Sequence, residues 1–220
     1  MLVFFSEENI ADSSSISLSQ CTVSTLYQLM SMYHTDFQGV VLDLRGNSGG
    51  VFEEGVSTSA LFLDPGTPIA TLVRSRDSWM RDVADSTFFS GMLPESMFQD
   101  FSPRDGIFTK PPLVLLVDGR TASSAELFAA ALRLHGRAMA VVGDQTFGKG
   151  LVQYFFPLRD GSGLKITVAK FLAGGVKDID KDHGLSPDMR CIEPISVDPE
   201  EDACVKKAME ILTSKRSSSQ

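Results

Sequence analysis

The sequence has few of the residues that mark metal proteins and disulfide scaffolds. Its 220 residues include three histidines and three cysteines, and the cysteines, Cys21, Cys191 and Cys204, are too scattered to form paired Cys-x-x-Cys motifs. We therefore predict no structural metal and no cofactor. Cys191 and Cys204 could pair in an oxidising compartment, and free buried thiols explain them at least as well.

Excess basic charge and long apolar runs are also missing. The formal net charge is −8 and the pI is near 4.9, which argues against nucleic-acid binding because such surfaces need clustered Lys and Arg. The longest apolar run, residues 112–117, is far shorter than the ~20 residues of a membrane-spanning helix, so no integral membrane segment is predicted. The first residues lack a basic signal-peptide start, and the compartment is therefore unknown from them.

What is present is the pattern of an α/β protein with one main domain. Strands are predicted at residues 1–5, 39–45, 68–74, 113–117 and 138–142, and helices at 15–33, 52–62 and 123–134. Residues 151–156 and 164–171 flank a Gly-rich turn that is typical of a β-hairpin. A last helix is predicted to about Leu212, with Asp198 as its N-cap and Pro199 at its first position. Residues 75–110 are interpreted as an insertion that packs on the core or covers a cleft.

A serine at a helix start and a lysine in a glycine-flanked turn provide the main chemical hypothesis. Ser123 lies in residues 121–126, where the unpaired amides and the dipole of the helix place a serine well for attack. Lys149, in residues 146–150, could take the proton of the serine if its amine is kept neutral by apolar neighbours, namely Phe147, Val152, Tyr154 and Phe155. The alternative is that the serines only cap the helix, with Glu126 completing a capping box.

Two further glycine-rich segments allow more than one interpretation. Residues 46–50 follow a buried strand and could turn their N–H groups toward one point, as an oxyanion site requires, or could form a plain tight turn. Residues 143–150 fit most of a phosphate-loop pattern. However, Gly150 replaces the hydroxyl that would hold magnesium, and a strand rather than a helix is predicted to follow.

The remaining polar residues form no recognisable constellation. His34, His135 and His183 lack a paired acid in a triad motif, although the sequence does not exclude a Ser-His-Asp mechanism. The acidic residues at 178, 180 and 182 alternate without completing a calcium-loop pattern. We interpret this stretch as a solvated loop.

Taken together and in this order, the segments resemble the carboxyl-terminal processing peptidases, or tail-specific proteases, which are Ser-Lys endopeptidases. The resemblance rests on residues 41–50, 121–126, 146–153 and 160–165, and it extends through 178–181 and 184–188. The Asp-Ile-Asp-Lys stretch is similar to the photosynthetic branch, which matures a photosystem II subunit in the thylakoid lumen. The resemblance implies a crotonase-like α/β fold with a mixed sheet covered by helices, and it suggests the chloroplast thylakoid lumen or the bacterial periplasm.

The family pattern also implies roles for individual residues. Its nucleophile stands three residues before a glutamate, which corresponds to Ser123 ahead of Glu126 rather than to Ser124. Its general base corresponds to Lys149, and the glutamine that orients this base corresponds to Gln153. The oxyanion would be bound by the amide of Gly49 or Gly50 and by the amide of Ser124.

The chain departs from the family pattern in two respects. The spacing from Ser123 to Lys149 is one residue longer, which a β-bulge near residues 138–142 could absorb, whereas Ser124 would restore the spacing. The family usually carries a PDZ domain before the catalytic core, and only about 40 residues precede the first motif here. We expect a protease core without a PDZ domain over residues 1–197, either a fragment or a minimal protease, followed by a helix and polar tail at 198–220.

These observations support two hypotheses about function. In the first, the protein is a serine endopeptidase that cuts protein substrates near an apolar C-terminus. In the second, it is a catalytically inactive relative that binds a protein tail or a partner subunit.

Overall fold

Two β-sheets organise the described part of the chain, which in the computed structural model comprises residues 2–5, 10–14, 39–73, 112–180 and 184–214. In chain order the elements are β1 (Leu2–Phe5), β2 (Ile10–Ser14), β3 (Gly39–Asp43), α1 (Phe52–Ala60), β4 (Ala70–Val73), β5 (Leu113–Val117), α2 (Ser124–Leu134), β6 (Ala140–Gly143), β7 (Leu151–Pro157), β8 (Gly163–Ala173), β9 (Lys177–Asp178), β10 (Met189–Arg190) and α3 (Ala203–Ser214).

The larger sheet has six strands in the order β10-β6-β5-β3-β1-β2. From β10 to β3 the neighbouring strands run parallel, and β1 pairs antiparallel with both β3 and β2. The central strands β3 and β5 are buried at all five positions. This burial agrees with their continuous apolar sequences, because parallel strands are usually covered on both faces.

Alternate residues of the larger sheet enter two separate cores. Val41, Val114, Leu116 and Val142 pack against α3 on one face. Leu42, Leu115 and Val141 face the other side, together with α1, α2 and the smaller sheet. The period of two follows from the alternation of side chains along a strand.

The smaller sheet is antiparallel, in the order β4-β8-β7, with β9 also paired to β8. The hairpin of β7 and β8 has a register shift between Val152 and Gln153. A register shift of this kind changes the face of the sheet to which the following side chains point. Gln153, the first residue after the shift, is four residues beyond Lys149.

Most of the predicted elements in the described ranges are confirmed. They include the first strand, the strands at 39–43, 70–73 and 113–117, the helices at 52–60 and 124–134, and the hairpin. The mixed α/β architecture with helices covering the sheet is confirmed as well. The predicted helix at 15–33, the insertion at 75–110 and the polar tail lie outside the described residues.

Two predictions about local structure were wrong. The strand after α2 covers residues 140–143 instead of 138–142, and its pairing with β5 is continuous, so no bulge interrupts these four residues. The last helix begins at Ala203 instead of Pro199. The carboxylate of Asp202 accepts the N–H groups of Cys204 and Val205, and it therefore caps the helix, whereas Asp198 accepts the N–H of Glu200 in a preceding turn.

None of the helices in the described ranges combines the length and the apolar character that crossing a bilayer requires.

Candidate active site

Ser123 lies in the turn between β5 and α2 and has a strained backbone. Its φ of 56° makes it the one non-glycine residue with positive φ in the described part of the chain. Such a conformation costs about 1–3 kcal/mol and persists only when surrounding contacts enforce it. Two hydrogen bonds fix the backbone here. Thr121 Oγ1 donates to the carbonyl of Leu44 (2.8 Å), and the Ser123 N–H donates to Glu126 Oε2 (2.9 Å).

The two adjacent serines have different environments. Ser124 is buried, and its Oγ accepts a hydrogen bond from the Gly50 N–H at 2.8 Å. Ser123 is half-buried. The hydroxyl of Ser124 is therefore engaged in holding the glycine-rich loop. Ser123 and Glu126 form the capping box that the sequence allows, and the lower burial of Ser123 makes it the better candidate for a nucleophile.

The buried carboxylate of Glu126 brings the serine and the lysine segments together. Oε2 accepts the N–H groups of both Ser123 (2.9 Å) and Lys149 (2.8 Å), so both backbone nitrogens lie within hydrogen-bond reach of one atom. Oε1 accepts the Gly148 N–H at 2.7 Å and the hydroxyl of Thr146. Two segments that are more than twenty residues apart in sequence are thereby fixed to one side chain.

The glycine-rich loop, residues 46–50, is bonded to the serine turn along its length. The N–H of Gly46 donates to Asp118 Oδ1 (2.9 Å), and the N–H of Ala122 donates to the carbonyl of Asn47 (2.9 Å). A Cβ on Gly49, whose φ is +82°, would lie 2.9 Å from the Cβ of Ser123. A side chain at residue 49 would therefore force the loop away from the serine turn.

The carboxylate of Asp118 holds the start of this loop. Burial by itself would raise the pKa of this carboxylate. The backbone N–H groups of Gly46 and Arg120 and the side chain of Arg120 oppose that effect, and the pKa of Asp118 falls below its ordinary value. The carboxylate thus stays charged and remains a strong acceptor for the Gly46 N–H.

Of the predicted oxyanion donors, the two glycine amides already have partners. The Gly49 N–H donates to Asn47 Oδ1 at 2.9 Å, and the Gly50 N–H donates to Ser124 Oγ. Ser124 is the first residue of α2, where N–H groups have no partner within the helix. The amide of Ser124 lies beside Gly49, since a Cβ on that glycine would be 2.9 Å from the Ser124 nitrogen.

Gln153 and two of the expected apolar neighbours of Lys149, Val152 and Phe155, lie on β7, and Phe147 lies before it. The Gln153 Nε2 atom lies 3.5 Å from Thr167 Oγ1, at the outer limit of a hydrogen bond. Phe147 and Phe155 are 52% and 60% exposed, whereas Val152 is half-buried. Strand alternation explains why Phe155, like Gln153, is on the exposed face.

The turn before β7 differs from a phosphate loop, as expected. A strand follows Gly150, and a Cβ at this glycine would lie 1.8 Å from the carbonyl oxygen of Ile179. A hydroxyl-bearing residue could not replace Gly150 without displacing that backbone. Within the described ranges, no three His, Cys, Asp or Glu side chains converge as metal ligands do.

Sequence reasoning missed several residues that build this site, among them Thr146, Asn47 and Asp118. Each is a short polar residue within a turn, where side-chain bonds to the backbone are common. The sequence predicts Glu126 only as a cap and as a motif residue. Its spacing of three from Ser123 predicts the bond to the Ser123 N–H, but not its bonds to residues 146–149.

The sequence and the fold both match known proteases. Residues 14–191 match the model of peptidase family S41. The chain is 39% identical over 148 residues to a carboxyl-terminal-processing protease of Picosynechococcus sp., and 33% identical over 189 residues to the carboxy-terminal processing protease CtpA of Bacillus subtilis. These matches cover 67% and 86% of this chain, but it spans only 30% and 36% of those relatives.

The fold of this chain also matches solved structures. The photosystem II D1 C-terminal processing protease superposes with a TM-score of 0.59 at 31% identity, over 80% of this chain and 40% of that protein. A peptidase from Parabacteroides merdae superposes with a TM-score of 0.60 at 19% identity, which supports the fold alone. From the family model and the sequence relatives, the chain belongs to peptidase family S41.

Proposed function

We propose that this chain carries the catalytic site of a serine endopeptidase that cuts protein substrates near their C-terminus. The observation that supports this most directly is the shared carboxylate oxygen of Glu126, which receives the N–H groups of Ser123 and Lys149. The names of the relatives, which are carboxyl-terminal processing proteases, support the choice of substrate.

In the proposed reaction, Ser123 Oγ attacks the carbonyl carbon of the scissile peptide bond while the side chain of Lys149 takes the hydroxyl proton. The tetrahedral intermediate expels the amine of the C-terminal fragment, which receives that proton. Water then attacks the acyl-enzyme, again with Lys149 as the base. The ester bond to Ser123 Oγ breaks, Lys149 returns the proton to that oxygen, and the shortened protein is released. Gln153 is assigned to orient the lysine, as the family pattern implies.

Oxyanion stabilisation is assigned to the amides of Ser124 and of Gly49 or Gly50. Since the Gly49 amide donates to Asn47 Oδ1 and the Gly50 amide donates to Ser124 Oγ, a substrate oxygen would have to share or replace one of those bonds. The Ser124 amide needs no such change. We therefore expect it to be the first of the three donors to contact the substrate.

The test is mass spectrometry of a panel of peptides with apolar C-termini incubated with purified protein. Wild type is expected to release C-terminal fragments, whereas Ser123→Ala and Lys149→Ala are expected to release none, a loss of at least about 1,000-fold. Ser186→Ala and Lys206→Ala, which change exposed residues, are the matched controls.

Another nucleophile and an inactive, tail-binding protein would each give a different result in this assay. Full activity of Ser123→Ala would transfer the role of nucleophile to another residue and refute the assignment. Binding of the peptides by wild type without any cleavage would instead favour the inactive, tail-binding protein.

The disulfide between Cys191 and Cys204 supports an oxidising compartment, such as a lumen or a periplasm. Their Cα atoms are 5.8 Å apart, within the usual range for a disulfide. Of the two alternatives that the sequence leaves open, the structure has the paired form. Alkylation of the denatured protein before and after reduction tests the proposal, and alkylation of both Cys191 and Cys204 without reduction would contradict it.

A further inference from the structure

A buried ion cluster joins the C-terminal helix to the start of the glycine-rich loop. The side chain of Arg45 is 3% exposed and lies between the carboxylates of Asp43 and Asp202. It contacts Asp43 Oδ2 at 2.7 Å and Asp202 Oδ2 at 2.9 Å through Nη2, and Asp202 Oδ1 at 3.2 Å through Nη1. Arg45 and Asp202 are 157 residues apart in sequence.

The position of Asp202 is fixed independently of Arg45. Its Oδ1 accepts the N–H groups of Cys204 (2.9 Å) and Val205 (3.0 Å), and its Oδ2 accepts that of Ser196 (3.0 Å). The disulfide from Cys204 to Cys191 ties the beginning of α3 to the residue that follows β10. The carboxylate is therefore held by backbone N–H groups at the start of a helix that packs against the sheet, and a disulfide two residues away fixes that end of the helix.

Arg45, in turn, is directly connected to the candidate site. It follows β3 and immediately precedes Gly46, and its own N–H donates to Asp43 Oδ1 at 2.9 Å. The carbonyl of its neighbour Leu44 accepts the hydroxyl of Thr121, two residues before Ser123. A displacement of Arg45 would therefore move the backbone that leads into the glycine-rich loop, next to a residue that is bonded to the serine turn.

We propose that Asp202 is a positioning residue of the candidate active site, which anchors Arg45 and with it the glycine-rich loop, and that the Cys191–Cys204 disulfide keeps Asp202 in place. The proposal rests on the proposed function in assigning a catalytic role to the loop. Charge-assisted bonds to a buried arginine are strong, and an error of about 1 Å in a catalytic group can cost on the order of 100-fold in rate.

The first test compares Asp202→Asn with Asp198→Asn. Asparagine caps helices well, so the variant at 202 removes the charge while it retains a cap for α3. Asp198 caps only a neighbouring turn and serves as the matched control. Hydrogen–deuterium exchange of residues 44–52 and the kcat and KM for a cleaved peptide are measured for both variants and for wild type.

For Asp202→Asn we expect exchange in residues 44–52 to accelerate about tenfold or more. We expect kcat to fall about 10- to 100-fold and KM to change less than about threefold, since the loop is assigned to the reaction step rather than to tight binding. Exchange and kcat equal to those of Asp198→Asn would overturn the proposal. If wild type cleaves no peptide, the proposed function fails, and the exchange data still decide whether Asp202 holds the loop.

A second test needs no substitution and applies even if Asp202→Asn does not fold. Dithiothreitol reduces the disulfide to two thiols and is itself oxidised to its cyclic disulfide. Exchange at residues 44–52 is then expected to rise several-fold and kcat to fall several-fold, with both restored on reoxidation. Changes confined to residues 191–205 would contradict the role of the disulfide.

Discussion

Two buried carboxylates, Glu126 at the start of α2 and Asp202 at the start of α3, are stabilised in different ways. The four donors that the structure shows for Glu126 are neutral, three backbone N–H groups and one hydroxyl. Asp202 receives three backbone N–H groups and a guanidinium. Glu126 therefore sets the geometry between two backbone segments, whereas Asp202 holds a distant loop mainly through charge.

The largest effect in this comparison is expected from Arg45→Met. The substitution leaves Asp43 and Asp202 facing each other without the cation, and breaking a buried pair in this way typically costs about 3–5 kcal/mol. Urea denaturation would measure the loss of unfolding free energy. The exposed Arg159 provides the control, and an equal result for Arg159→Met would show that the buried cluster contributes nothing particular.

Glu126→Gln is expected to cost about 2–3 kcal/mol. The amide offers one acceptor oxygen instead of two, and its NH2 group would face N–H donors that then lack a buried partner. We also expect peptide cleavage to fall strongly, because the single amide oxygen cannot accept both the Ser123 and Lys149 N–H groups and the donors of residues 146 and 148. The same substitution at the exposed Glu210 should leave stability and cleavage unchanged, and unaltered cleavage by Glu126→Gln would refute the role given to this carboxylate.

A smaller effect is expected in acid. Burial raises the pKa of Asp202, but the hydrogen bonds from Arg45 and from the N–H groups of Val205 and Ser196 outweigh it, and the pKa lies below the ordinary 3.8. The unfolded chain therefore binds a proton more readily. The stability that this group contributes is complete above the unfolded value and is lost as the pH falls through the folded one.

Unfolding free energies measured between pH 6 and pH 2.5 test this expectation. The difference between wild type and Asp202→Asn should shrink as the pH falls. A constant difference across this range would mean that the charge of Asp202 does not stabilise the fold.

The smallest effect is expected at an exposed pair. Arg133 contacts Asp188 at 2.8 and 3.0 Å, but their side chains are 43% and 32% exposed. Asp188 also accepts the N–H of Val141, so it keeps a partner in Arg133→Gln. We expect a loss below about 1 kcal/mol that decreases with added salt, and a loss comparable to that of Arg45→Met would contradict the contrast between buried and exposed pairs.

The elements that sequence predicts well are those in which a local pattern agrees with burial. Residues 39–43 and 113–117 are short apolar runs that end at turn residues, and both form fully buried central strands. The β7–β8 hairpin follows from its turn residues. Ser123 and Lys149 were also identifiable, because their surrounding motifs are local in sequence.

The features that sequence does not predict depend on distant partners. Asp198 followed by proline is a good local helix start, yet Asp202 caps the helix because its carboxylate also meets Arg45 and Ser196. The short strands β9 and β10 have two residues each, too few for any period to be visible. The bonds from Glu126 to residues 146–149 likewise exist only once the fold has brought these segments together.

The positive φ of Ser123 affects which residues evolution can place at this position. A glycine would adopt φ near 56° without the steric cost that a serine incurs, so Ser123→Gly should relieve strain in the folded chain. Selection for stability alone would therefore favour replacing the residue on which the proposed chemistry depends. A serine at this position makes sense only if its hydroxyl confers an advantage greater than the stability that a glycine would provide.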